Sequence, residues 1–142
     1  MSQHPQLQNL TAPEAYALIQ EQGSSLLIDI RTKMEFQFVG HPVGAIHIPW
    51  KEVPGWKHNP EFTPSIAALL EKAADSSTDQ QTPIILMCRS GSRTVDAGNA
   101  LIDAGFENVY HITDGFEGDL DHNAHRGNIN GWRFHGLPWQ QS

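Results

Sequence analysis

The sequence predicts an α/β domain: a mostly parallel central sheet with helices packed on both faces. Three observations point there. Short runs rich in branched apolar residues, at 26–30 and 83–87 above all, are apolar at nearly every position, as strands buried on both faces are. Between them lie stretches whose apolar residues recur at helical spacing, so strands and helices alternate along the chain. A length of 142 residues suits one compact core and is too short for two of ordinary size.

Thr11-Ala12-Pro13-Glu14 has the form of a capping box, followed by Ala15, Leu18 and Ile19 on one stripe and Gly23 as a stop, which predicts a first helix. Leu26-Leu27-Ile28-Asp29-Ile30 reads as a core strand ended by Arg31-Thr32. Ala45-Ile46-His47-Ile48, before Pro49, reads as another. Thr63-Pro64 opens a helix with Ile66, Leu69, Leu70 and Ala73 on one face, and residues 75–82 read as a polar loop. Pro83-Ile84-Ile85-Leu86-Met87 is the strongest strand signal. It runs directly into Cys88, after which Ser92 is placed to cap a helix carrying Val95, Gly98, Leu101 and Ile102, stopped at Gly105. Asn108-Val109-Tyr110-His111-Ile112 is the last strand. From residue 114 the pattern dissolves into Gly, Asp, Asn and His until Trp132, Phe134, Leu137 and Trp139, which suggest a tail folded back over the core.

Composition removes several functions. The formal charge of −7 argues against a general nucleic-acid binder or a surface for anionic membranes, so an anion site must be local. No apolar run is long enough to span a bilayer, and the first eight residues have neither a basic start nor an apolar stretch, so cytoplasm is the expected location. A single cysteine cannot form an internal disulfide, a Cys-x-x-Cys pair or a cysteine-based zinc site. No Walker A sequence and no Gly-x-Gly-x-x-Gly turn is present, so no nucleotide or other cofactor is implied.

The chemistry concentrates at Cys88-Arg89-Ser90-Gly91-Ser92-Arg93, at the carboxyl end of the best strand, where open α/β sheets place their ligands. Inward backbone N–H groups and a helix N-terminus make an anion cradle there, and Arg89 and Arg93 add fixed positive charge. Gly91 supplies backbone freedom. Such surroundings favour a thiolate, so Cys88 is expected to be a nucleophile rather than a small buried hydrophobe.

The same loop resembles the Cys-Arg-x-Gly-x-Arg/Thr active-site loop of rhodanese-like sulfurtransferases. Two upstream segments resemble the family as well: Leu27-Ile28-Asp29-Ile30-Arg31 with Glu35-Phe36, and Gly40-His41-Pro42-Val43-Gly44-Ala45-Ile46-His47-Ile48-Pro49. The motifs occur in the family's order and extend the resemblance over roughly residues 10–118. Where the family often has a Gly-Gly pair followed by Trp, this chain has Asp114-Gly115-Phe116-Glu117-Gly118. The resemblance implies a three-layer rhodanese-like fold with about five strands in residues 1–118, leaving 119–142 as a C-terminal extension on the same domain. It implies a Cys88 persulfide, loaded from thiosulfate or a similar donor and unloaded to an external acceptor: cyanide, a small thiol or a protein thiol. Arg89, Ser90, Gly91, Ser92 and Arg93 would hold the anion. Asp29, Arg31 and Glu35 would pair with one another or with loop arginines and support the loop. Trp50 and Trp56 could rim the pocket or pack in the core.

Three other readings compete. Cysteine phosphatases and arsenate reductases also use a Cys-loop-Arg cradle, but with five intervening residues where Cys88 and Arg93 have four. A partner-specific sulfur carrier, turning over poorly with thiosulfate, would use Trp132, Phe134 and Trp139 for docking. Asp119, Asp121, His122 and His125 could furnish metal ligands, though at no diagnostic spacing, so no metal is expected.

Overall fold

The computed structural model describes residues 5–77 and 82–142, with 73–77 described through their backbone alone. Residues 1–4, part of the stretch read for a targeting signal, residues 78–81 of the expected loop and the side chain of Ala73 lie outside the described residues.

A five-stranded, wholly parallel sheet forms the centre, in the order β1-β8-β7-β2-β4, where β1 is Gln8–Leu10, β2 Leu26–Asp29, β4 Ile46–His47, β7 Ile84–Met87 and β8 Val109–Ile112. The register sets Ile28 beside Leu86 and Asp29 beside Met87, so β2 and β7 end together. Alternation along these strands divides the core into two layers. Ile28, Ile84 and Leu86 face α2 (Phe62–Ser77) and α3 (Ser92–Asp103), packing on Phe62, Ile66, Ala97 and Leu101. Leu27, Ile85 and Met87 face α1 (Ala12–Glu21), Phe116 and Trp132. The predicted α/β architecture with helices on both faces is the one observed.

The capping box is formed: Thr11 Oγ1 accepts from Glu14 N–H, and Glu14 Oε1 accepts from Thr11 N–H. Three elements differ from the expectation. The expected loop at 75–82 begins later, because α2 continues to Ser77. The edge strand β1 was not legible, since its residues are mostly exposed and carry no apolar run. A π-helix, Glu35–Val39, follows β2 and ends at Gly40.

Two antiparallel ribbons complete the fold. In one, β3 (His41–Pro42) pairs with β9 (Trp139–Gln140), so the tail returns to the segment after the π-helix. Trp132 is 1% exposed, its indole N–H donates to Pro138 O at 2.8 Å, and its ring meets Tyr16 edge to face. In the other, β5 (Lys51–Glu52) pairs with β6 (Lys57–His58), and Trp56 stands in the turn between them. Trp50 is a core residue against Phe62 and His58.

Candidate active site

Cys88 follows the last residue of β7, at the carboxyl edge of the sheet, and α3 begins four residues later. The turn depends on Gly91, which has φ +100°, and a Cβ at that position would overlap the carbonyl oxygen of Thr113. Ser92 does not cap α3 as expected. Gly91 occupies the cap position, with no side-chain cap, and Ser92 is the first helical residue and exposed. The segment after β8 holds the loop from below: Phe116 N–H donates to Cys88 O at 2.9 Å and Glu117 N–H to Arg89 O at 3.0 Å. A Cβ at Gly115 would collide with those same carbonyls, which explains a glycine there. Phe116, where the family often has an aromatic Trp, is fully buried beneath the guanidinium of Arg31, 4.6 Å from its ring centroid.

Cys88 is fully buried. Gly91 N–H donates to its Sγ at 3.2 Å, and the thiol lies 3.8 Å from Thr94 Oγ1, near the first turn of α3. A backbone donor and a helix N-terminus at the sulfur both favour negative charge on it.

Arg93 is bound to Glu35 through two parallel hydrogen bonds of 2.9 Å each. Burial would raise the Glu35 carboxyl, but Arg93 and the bonds from Thr32 outweigh it and lower it from an ordinary 4.5 to about 2. For Arg93, burial pulls down, but Glu35 outweighs it, with Cys88 and Asp29 adding, so the guanidinium is held charged above its ordinary range. Its outer side lies 5.4 Å from the Trp56 ring. Of the two arginines expected to meet an anion, Arg93 is therefore committed to Glu35, while Arg89 is exposed; Ser90 is half-buried.

Asp29 and Arg31 form a second pair with no solvent exposure. Arg31 Nε donates to Asp29 Oδ1 at 2.9 Å and Nη2 to Oδ2 at 2.7 Å, and Nη2 also reaches Gly40 O at the end of the π-helix. His47 Nε2 lies 2.7 Å from Arg31 O. The two pairs lie on consecutive parts of one connection, β2 to π-helix: Asp29–Arg31 braces it from within, and Glu35–Arg93 ties it to the first turn of α3.

With this geometry the comparisons with known proteins agree. The family described as Rhodanese-like domain matches residues 11–121. This chain belongs to the rhodanese-like domain family. It is similar to Rv0390 from M. tuberculosis, whose crystal structure superposes with a TM-score of 0.75 at 33% identity, covering 94% of this chain and 97% of that one. An uncharacterized protein, the RP600 homolog of Rickettsia rickettsii, is 30% identical over 137 residues, 94% of this chain and 98% of its own length. The thiosulfate sulfurtransferase GlpE of Haemophilus influenzae is 29% identical over 109 residues, covering 77% of this chain and 84% of that protein. Sulfurtransferases are thus among the relatives of this rhodanese-like chain.

Other sequence candidates are placed elsewhere. Asp121 accepts from Asn123 N–H, His125 N–H and Asn128 Nδ2, and Asp119 accepts from Asn130 Nδ2, so these carboxylates organise the 119–130 loop. Among the described residues no three His, Cys, Asp or Glu side chains gather as metal ligands, and no helix is long and apolar enough to cross a membrane. Two residues of this rhodanese-like site escaped the sequence reading. Asp114, buried, accepts from Ala12 N–H and Gly131 N–H, both at 2.9 Å, joining α1 to the tail. Thr94 touches the sulfur, and only its i+6 spacing from Cys88 on a helix start hinted at it.

Proposed function

We propose that this chain is a rhodanese-type sulfurtransferase that moves sulfane sulfur from a donor such as thiosulfate to an external thiophilic acceptor through a persulfide on Cys88. The observation that carries the reading is the Gly91 N–H aimed at Cys88 Sγ at 3.2 Å, in a loop that Gly91 and Gly115 allow to close and Arg93–Glu35 holds. In the first half-reaction the Cys88 thiolate attacks the outer sulfur of thiosulfate, the S–S bond of the donor breaks, and its electron pair leaves with sulfite. The persulfide anion inherits the donor field of the loop. In the second, cyanide or a thiolate attacks the terminal sulfur and Cys88 departs as thiolate. No second cysteine can resolve the persulfide, so the acceptor comes from outside. Exposed Arg89 attracts the anionic donor; Arg93, Asp29, Arg31 and Glu35 hold the loop.

The kinship to a protein named thiosulfate sulfurtransferase supports this reading. Residues 119–142 are read as part of the same folded unit as 1–118, because Trp132 fills the α1 layer and β9 pairs with β3. Of the aromatics that the carrier alternative would use, Trp132 is buried, while Phe134 and Trp139 are exposed.

The test is intact mass spectrometry after thiosulfate and then cyanide, on wild type and Cys88→Ser. A gain of about 32 Da on wild type alone, removed by cyanide, is the expected result. Equal thiosulfate:cyanide turnover by Cys88→Ser would overturn the mechanism.

A further inference from the structure

A line of polar groups crosses the otherwise apolar α2/α3 layer, from the sulfur to the edge of the sheet. Thr94 Oγ1, fully buried, lies 3.8 Å from Cys88 Sγ and 2.8 Å from Nδ1 of His111 on β8. On its other side, Nε2 of His111 lies 2.9 Å from Oδ1 of Asn9, an exposed residue of β1. The parallel register sets Asn9 directly beside His111, so the edge strand itself delivers this contact. A buried hydroxyl and imidazole in an apolar layer are costly unless bonded, and here each is bonded in series.

The partners fix the direction of the chain. Asn9 Oδ1 only accepts, so Nε2 of His111 carries the hydrogen and Nδ1 offers a lone pair. The Thr94 hydroxyl has two acceptors, Nδ1 at 2.8 Å and Gly91 O at 3.1 Å, and the ring nitrogen is the nearer. Oγ1 is then open to accept the Cys88 thiol hydrogen.

We propose that His111, acting through Thr94, takes up the proton of Cys88 and so generates the thiolate, with Asn9 orienting the ring. This rests on Cys88 being the sulfur-carrying nucleophile. In the step, the S–H bond of Cys88 breaks and its proton passes to Thr94 Oγ1. The O–H bond of Thr94 breaks in concert and that proton passes to His111 Nδ1. Thiolate and imidazolium result, Thr94 ends neutral, and nothing is oxidised or reduced. Burial lowers the pKa of His111, which keeps the ring neutral with its lone pair available near neutral pH. The titratable groups around the line are Cys88 from the end of β7 and the Arg93–Glu35 pair joining α3 to the π-helix. Thr94 and Asn9, the groups bonded to the ring, do not titrate.

The experiment is the pH titration of the thiolate by its ultraviolet absorbance, with Cys88→Ser as the blank, on wild type, Thr94→Val, Thr94→Ser and His111→Gln, with thermal melts alongside. Thr94→Val keeps shape and deletes the hydroxyl; Thr94→Ser keeps the hydroxyl. Thr94→Val and His111→Gln are each expected to raise the midpoint by about one pH unit, tenfold less thiolate below it, and the double variant by no more than either alone. Thr94→Ser should titrate as wild type does. A wild-type midpoint in Thr94→Val, or in His111→Gln, would sink the relay, as would additive shifts in the double variant. Should Thr94→Val not fold, His111→Gln against Thr94→Ser decides by the same criterion. Thiosulfate loading separates the two ideas: sulfur taken up with unmoved midpoints removes only the relay, and shifted midpoints with no sulfur taken up remove only the transferase reading.

Discussion

Glu35 and Arg93 lie 58 residues apart in sequence and meet in two parallel 2.9 Å hydrogen bonds, with side chains only 20% and 15% exposed. The pair joins the π-helix after β2 to the first turn of α3, and so fixes the separation between the two strand ends that bracket the sulfur.

Its acid dependence follows from linkage. The folded-state pKa of Glu35 is depressed, so the unfolded chain binds its proton first and the stabilisation is present above about 4.5 and lost as pH falls towards about 2. Allowing for solvent screening of a partly exposed pair, the loss should be roughly 1 to 2 kcal/mol. Urea unfolding of wild type and Glu35→Gln between those limits checks it: the variant, less stable at neutral pH, should show a shallower decline.

Asp29 and Arg31 have no exposure, so breaking the pair strands a charge. Asp29→Ala should cost about 3 to 5 kcal/mol, and Asp29→Ala with Arg31→Met should be more stable than Asp29→Ala alone, because the orphaned guanidinium is gone. Denaturant midpoints of the two variants decide the order.

Gly91→Ala meets the Thr113 carbonyl and a left-handed backbone at once. It should cost about 1 to 3 kcal/mol and displace the backbone donor from Cys88, so that persulfide loading by thiosulfate falls by more than tenfold while the melt stays cooperative. Unimpaired loading would show that the Gly91 N–H is dispensable.

Burial of Cys88 makes its reactivity selective for size. Iodoacetamide should modify it at least about tenfold faster than a bulky aromatic disulfide, whereas in urea the two rates should converge to those of an open thiol. Time courses followed by intact mass give both rates.

Trp132→Ala removes a core side chain, not a docking residue, and should cost about 3 to 5 kcal/mol with far smaller effect on per-molecule activity of the folded fraction.

The sequence reached the parts of this fold that local chemistry dictates. Core strands such as 84–87 are apolar on both faces and declare themselves, as does the Thr11–Glu14 capping box. The loop at Cys88 was visible because cysteine, arginines and glycine crowd into six residues. What escaped has its cause elsewhere in the chain. Strand β1 is polar and forms only because β8 offers an edge. Ser92 looked like a cap, but the close approach of Thr113 requires a glycine one residue earlier, and that glycine takes the cap position. His111 read as one more strand residue; its significance comes from Thr94 across the α3–β8 contact and from Asn9, 102 residues away. The pairing of Glu35 with a loop arginine, by contrast, was implied by the family resemblance; its partner is Arg93, and Arg89 is left exposed.

The edge strand also governs when this protein can finish folding. Gln8–Leu10 waits for Val109–Ile112, and His41–Pro42 waits for Trp139–Gln140, so these strands, made early in synthesis, stay unpaired until partners far along the chain have been made. The central β2–β7 pair can assemble sooner, but the last partner of His111 arrives only when β1 docks on β8. A chain stopped between Arg93 and Val109 would therefore carry the cysteine loop without His111 and without the β8 edge on which β1 docks.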